Sequence, residues 1–181
     1  MHSLNEYARE RGGQNDLAAA AASPGFAAYL KQIDQGLDRA DTQGSSRLEK
    51  AYLAAPSSRD FITAYESAAL EAVAANPDLV MIYPSPTAVA DQAGAALIAS
   101  WVTPAQRETS QDFLKFLASD EAQTDGTQYG FRPAGTGGAQ ALSRRLSPAQ
   151  RAQFQASYIS TELPPYDALN EAAAVWHGQG P

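Results

Sequence analysis

The sequence predicts a helix-rich α/β fold with few strands, and three features predict it. Apolar residues recur at spacings of three and four in several windows, as on the buried stripe of a helix. Two segments, Thr103-Pro104-Ala105-Gln106 and Ser147-Pro148-Ala149-Gln150, share one helix-opening signature: a hydroxyl cap, Pro at the first helical position and Gln at the third. Against these helices stands one continuous apolar run, Leu79 to Tyr83, bounded by turn residues as a strand buried on both faces would be.

The elements follow in order. Residues 4–12 form a short helix with Leu4, Tyr7 and Ala8 on one stripe, and the alanine run Ala18 to Ala22 ends at Ser23-Pro24. Pro24 opens a helix whose face carries Phe26, Tyr29, Leu30, Ile33 and Leu37. Asp41 to Ser46 is a polar loop, and 47–54 is a helix with Leu48, Ala51 and Tyr52 inward. Phe61 to Tyr65 is β-prone, a helix-forming stretch covers 68–75, and 79–83 and 95–101 are further strand candidates. The helix opened by Thr103 buries Phe113, Leu114, Phe116 and Leu117, and Ser119 caps a short helix that runs to Gln128. Gly130 to Gly138 is a glycine-rich loop. Gly135-Thr136-Gly137-Gly138 lacks the Lys-Ser/Thr of a phosphate loop and is expected to be a flexible linker. The helix at Ser147 carries Phe154, and Tyr166 to Trp176 follows Pro164-Pro165 with Leu169, Ala173 and Trp176 on one side. Residues 177–181 are a linker-like end.

Composition narrows the function classes. Among 181 residues, 13 Lys and Arg stand against 20 Asp and Glu, a net charge of −7 that repels nucleic acid and anionic membrane. Arg144 and Arg145 are the nearest approach to a basic cluster, and a solvated face is the expectation for them. The absence of cysteine removes disulfides, thiolate metal sites and cysteine catalysis. No apolar run approaches the roughly 18 residues of a membrane span, so no direct membrane insertion is expected. No signal peptide opens the chain, and any export signal is expected to lie outside it. Enzymatic readings lack a motif. His2 and His177 lie near opposite ends, no Gly-x-Ser-x-Gly elbow is present, and no carboxylate pair is singled out by an apolar setting. The expectation is a binding protein with no cofactor and no metal.

Four passages carry a family resemblance. Ser57 to Leu70 resembles the strand-to-helix segment of type II periplasmic solute-binding proteins, where a small polar segment and an Asp lead into an apolar strand ending in Tyr-Glu. Asp78 to Pro86 (DLVMIYPSP) resembles the strand that returns toward the first lobe and ends in Tyr-Pro. Phe113 to Gln123, then Tyr129-Gly130-Phe131-Arg132-Pro133, is similar to the family's FLxFLxSxEAQ and YGFRP passage. Gly44-Ser45-Ser46 ahead of a helix resembles its GxST element. The resemblance implies a three-layer type II fold, helix-rich with few strands. It makes residues 1–181 a single partial domain, the second lobe plus returning elements, with the first lobe of the same protein as a missing partner. It also implies an extracytoplasmic role in ABC transport. The end of the chain, Leu169 to Trp176, is similar to the segment joining such a module to a von Willebrand factor type A domain. No Asp-x-Ser-x-Ser signature is present, so no metal residue carries over.

Candidate ligand groups lie where strand ends meet helix starts. Ligands of open α/β sheets bind beyond the carboxyl ends of strands, and a helix beginning there turns its free N–H groups to the same place. Tyr65, Glu66 and Ser67 satisfy that condition: Tyr65 offers a hydroxyl and a ring, Ser67 a hydroxyl, and Glu66 an acceptor for an amine or a hinge group. The structural alternative makes Tyr65 a half-buried strand-end aromatic and Ser67 an N-cap. Ser45 and Ser46 form a second hydroxyl-plus-amide cradle or simple caps. Tyr83 and Ser85 belong to the crossover between lobes or to a rigid Pro-bounded turn. Arg132 is expected to be ion-paired on a loop pinned by Phe131 rather than a ligand clamp. Two functions of different class follow: capture of a small polar or anionic solute, or a binding-protein-like interaction domain on the cell surface beside a von Willebrand factor type A domain.

Overall fold

The computed structural model describes residues 2–37 and 44–178. Within them ten α-helices form: α1 (His2–Arg11), α2 (Leu17–Ala21), α3 (Pro24–Gln35), α4 (Ser45–Ala54), α5 (Glu66–Ala75), α6 (Pro104–Leu117), α7 (Asp120–Gly126), α8 (Gly138–Ser143), α9 (Pro148–Gln153) and α10 (Tyr166–Trp176). The chain divides into two compact units. Unit 1 comprises Met1–Thr42, Pro84–Val89 and Tyr158–Pro181, and unit 2 comprises Gln43–Tyr83 and Ala90–Ser157.

Unit 1 is built on short helices whose ends are fixed locally. The Asp16 side chain accepts from the Ala19 N–H and the Ser23 hydroxyl from the Phe26 N–H, so α2 and α3 each start on a side-chain cap. Their inner faces bury Leu4, Ala8, Ala20, Ala21, Phe26, Leu30 and Ala168 together. Tyr7, Phe26 and Tyr29 meet ring to ring, with centroids 5.3 Å (Tyr7–Phe26) and 5.5 Å (Tyr7–Tyr29) apart. The stripe expected on α3 ends one turn early, for Leu37 lies beyond the helix and is exposed. On α10 the buried face is Ala168, with Ala172 and Val175 beside it. The expected face of Leu169, Ala173 and Trp176 is displaced from this by about one residue, roughly 100° around the helix.

Unit 2 has a smaller core, in which Leu70 of α5 meets Leu142 and Leu146, with Met81 and Phe154 packed against them. Both predicted capping boxes form, at Thr103/Gln106 and at Ser147/Gln150, because each needs only a single turn of chain. Ser119 caps α7 as expected. Three expectations fail. The stripe on α6 is not buried: Phe113, Phe116 and Leu117 are exposed and no residue of that helix is fully buried. Gly135 to Gly138 is not all linker, since Gly137 caps α8 and Gly138 begins it. Phe154 lies just past α9 rather than in it.

The expected strands at 61–65, 79–83 and 95–101 do not pair. Among the described residues the one β-type contact is an isolated parallel bridge between Thr87 and Ser160 in unit 1. At 79–81 the reason is visible. The side-chain amide of Gln153 donates to the Leu79 carbonyl at 3.0 Å and accepts from the Met81 N–H at 2.6 Å, serving the backbone as a neighbouring strand would. Leu79, Met81 and Tyr83 turn inward, whereas Val80 and Ile82 are 77% and 80% exposed. The backbone therefore alternates as a strand does, without a ladder partner. At 95–101 the chain turns early, with the Val102 N–H donating to the Ala99 carbonyl.

Candidate ligand-binding site

α5 begins at Glu66, two residues sooner than the helix-forming stretch suggests. Tyr65 is its N-cap residue, in extended conformation and with no side chain capping the helix. Tyr65 is 58% exposed, so it is not a half-buried strand-end aromatic. Ser67 sits in the first turn, partly buried, and is not the cap. The backbone of Gly130 presses on it so closely that a Cβ at position 130 would stand 2.9 Å from the Ser67 Cα.

Glu66 is the centre of a closed hydrogen-bonded group. Its carboxylate takes the Arg132 guanidinium edge-on, with Nη2 to Oε1 at 2.6 Å and Nε to Oε2 at 2.7 Å. The Tyr83 hydroxyl donates to Oε1 at 2.5 Å. Arg132 also donates to the carbonyls of Gln155 at 2.6 Å and Ala156 at 3.1 Å, and its guanidinium lies 4.5 Å from the centre of the Phe154 ring. This two-nitrogen geometry is specific to arginine and stronger than a single contact. Burial, and then the hydrogen bond to Glu66 and its negative charge, hold the Tyr83 hydroxyl protonated well above the usual tyrosine range. A backbone hydrogen bond of Gln155 and the charge of Arg132 act in the opposite sense.

The structure thus joins Glu66 and Tyr83 of the sequence candidates, while Ser67 packs against Gly130 and Tyr65 is exposed. Arg132 is ion-paired, but Phe154 rather than the exposed Phe131 covers its guanidinium. Ser85 belongs to unit 1 and is exposed. Ser45 and Ser46 open α4 rather than closing a loop, behind Gly44, and their side chains lie outside the described residues. An open groove of unit 2, about 630 Å³, lies between Ala95–Val102 and the first half of α6 and takes in none of the predicted site residues. Among the described residues no group of three or more His, Cys, Asp or Glu side chains is placed to hold a metal ion. No helix there is long and apolar enough to cross a membrane.

Residues 12–149 match the family model for bacterial extracellular solute-binding proteins. The chain belongs to that family. The match takes in α5, Tyr83 and Arg132, so the ion-paired group lies within the family's own region of the chain. No curated protein and no solved structure matches the chain.

Proposed function

We propose that this chain captures a small polar or anionic solute outside the cytoplasm, as the binding component of an ABC transport system, and that the start of α5 forms part of the binding surface. The observation that carries this reading is Tyr65, exposed at an uncapped helix start. The first N–H groups of α5 face that end and favour an acceptor-rich ligand. Glu66 does not oppose an anion there, because Arg132 neutralises its charge in a two-nitrogen pair. The protein acts by binding and release, without catalysis. Extended, unpaired segments with Val80, Ile82, Leu97 and Ile98 exposed support a three-layer type II architecture. In it this chain supplies the second lobe and returning elements, and the first lobe of the same protein supplies the neighbours.

One observation favours a second reading. Trp101, Phe113 and Tyr129 are exposed at 71%, 58% and 73%, as anchor residues of an interaction domain on the cell surface would be, beside a von Willebrand factor type A domain and without solute transport. Thermal denaturation across inorganic oxyanions, amino acids and sugars separates the two. Solute capture gives an upshift with one class, and a ligand at a hundred times its Kd adds about 2.7 kcal/mol. Tyr65→Ala abolishes that upshift. A flat response to the whole panel supports the interaction domain instead.

A further inference from the structure

The chain leaves unit 2 for unit 1 at two described places, after Tyr83 and after Ser157. Both departures are tied to one side chain pair on the unit 2 side. Tyr83, the last residue before the first departure, donates to Glu66, and Gln155 and Ala156, just before the second, accept from Arg132. A few residues further on, inside unit 1, the same two segments are joined again. The Thr87 N–H donates to the Ile159 carbonyl and the Thr161 N–H to the Thr87 carbonyl, each at 2.7 Å, which makes the parallel bridge at Ser160. The two segments are therefore fastened to each other at both ends of their passage.

We propose that Glu66, Arg132 and Tyr83 are positioning residues, whose ion pair and hydrogen bonds fix both departures at the start of α5 so that the two crossing segments move as one unit. The inference rests on the solute-binding reading for its purpose, since a solute held at the start of α5 would then act on both crossings through a single anchor. Its structural content stands without a solute. Arginine is required because one guanidinium must reach two carboxylate oxygens and two carbonyls at once, which an ammonium cannot do.

Amide hydrogen exchange of the solute-free chain tests this, because it reads opening residue by residue and is independent of any ligand. In Arg132→Ala, exchange at the Thr87 and Thr161 amides is expected to rise about tenfold or more relative to the parent chain, while the Leu30 amide in the core of unit 1 keeps its rate. Arg132→Lys gives an intermediate rise. Tyr83→Phe leaves the ion pair and folds with least disturbance, and it gives a smaller rise at the same two amides. Unchanged rates at Thr87 and Thr161, with faster exchange confined to α5 and α9, would overturn the proposal by reducing the group to a brace of unit 2. A uniform rise through the helices of both units overturns it equally. A flat solute panel with the expected exchange pattern would fault the solute reading alone.

Discussion

Arg132 meets Glu66 through two nitrogens and two oxygens, 66 positions apart in the chain, with only 17% and 21% of the two side chains left exposed. At that burial the pair is neither a solvated surface contact nor a fully dry one. Removing one partner strands the other beside Phe154 and the Tyr83 hydroxyl. Breaking fully buried pairs costs 3–5 kcal/mol, so about 1–3 kcal/mol is expected here for Arg132→Ala or Glu66→Gln. Urea denaturation of the two single variants and the double variant checks this. The double variant should lose less than the sum of the singles, with a coupling of about 1–3 kcal/mol. Additive losses would mean that the two groups stabilise the chain independently.

What the sequence reveals and what it hides divide along chain separation. The capping boxes at Thr103 and Ser147 are complete within four residues, and both form as read. The partner of Arg132 is a long-range fact that no local pattern encodes, although the loop itself marks Arg132 for an ion pair. The stripe of α6 is a true helical pattern, but periodicity says only which residues share a face. It does not supply the surface that covers them, and Phe113 and Phe116 remain exposed. The segment 79–83 shows the opposite case: its continuous apolar run reads as a strand buried on both faces, yet Val80 and Ile82 are exposed and a glutamine side chain takes the hydrogen bonds of a neighbouring strand. Tyr65 at a helix start was legible within about two residues from the helix-forming stretch that follows it, whereas the strand expected to end there does not pair. That Glu66 beside it is engaged was not.

The protonation of Tyr83 sets an alkaline limit on the same group. Its folded-state pKa is raised above the ordinary value of 10.0, so the folded chain binds this proton more tightly than the unfolded chain. The contribution is fully present below about pH 10 and is lost as the pH rises above it toward the folded value. The stability gap between the parent chain and Tyr83→Phe should therefore be constant at neutral pH and close in the alkaline range. Absorbance titration supplies an independent reading: of the eight tyrosines, one should ionise late in the parent, and that late step should be missing from Tyr83→Phe. A gap that widens with alkali would show that the hydroxyl is not held in its protonated form.

The loop that delivers Arg132 depends on a backbone conformation only glycine adopts readily. Gly130 has φ +77°, and an added Cβ would meet the Ser67 Cα at 2.9 Å and the Ser67 Cβ at 3.1 Å. Gly130→Ala therefore suffers twice, from the left-handed backbone and from collision with the first turn of α5. Gly135 provides the control, because its φ is +84° and nothing lies within 4 Å of an added Cβ. Gly135→Ala should lose about 1 kcal/mol from backbone strain alone. Gly130→Ala should lose about 1–3 kcal/mol more, as a close-packed contact must give way. Because Arg132 follows two residues later, Gly130→Ala should also loosen the Glu66 pair, so adding Arg132→Ala to it costs less than in the parent. Denaturation midpoints for the three variants and the double variant check the order. Equal losses at the two glycines would mean that the approach of Gly130 to Ser67 does not constrain the loop, and that α5 and Arg132 are positioned by the ion pair alone.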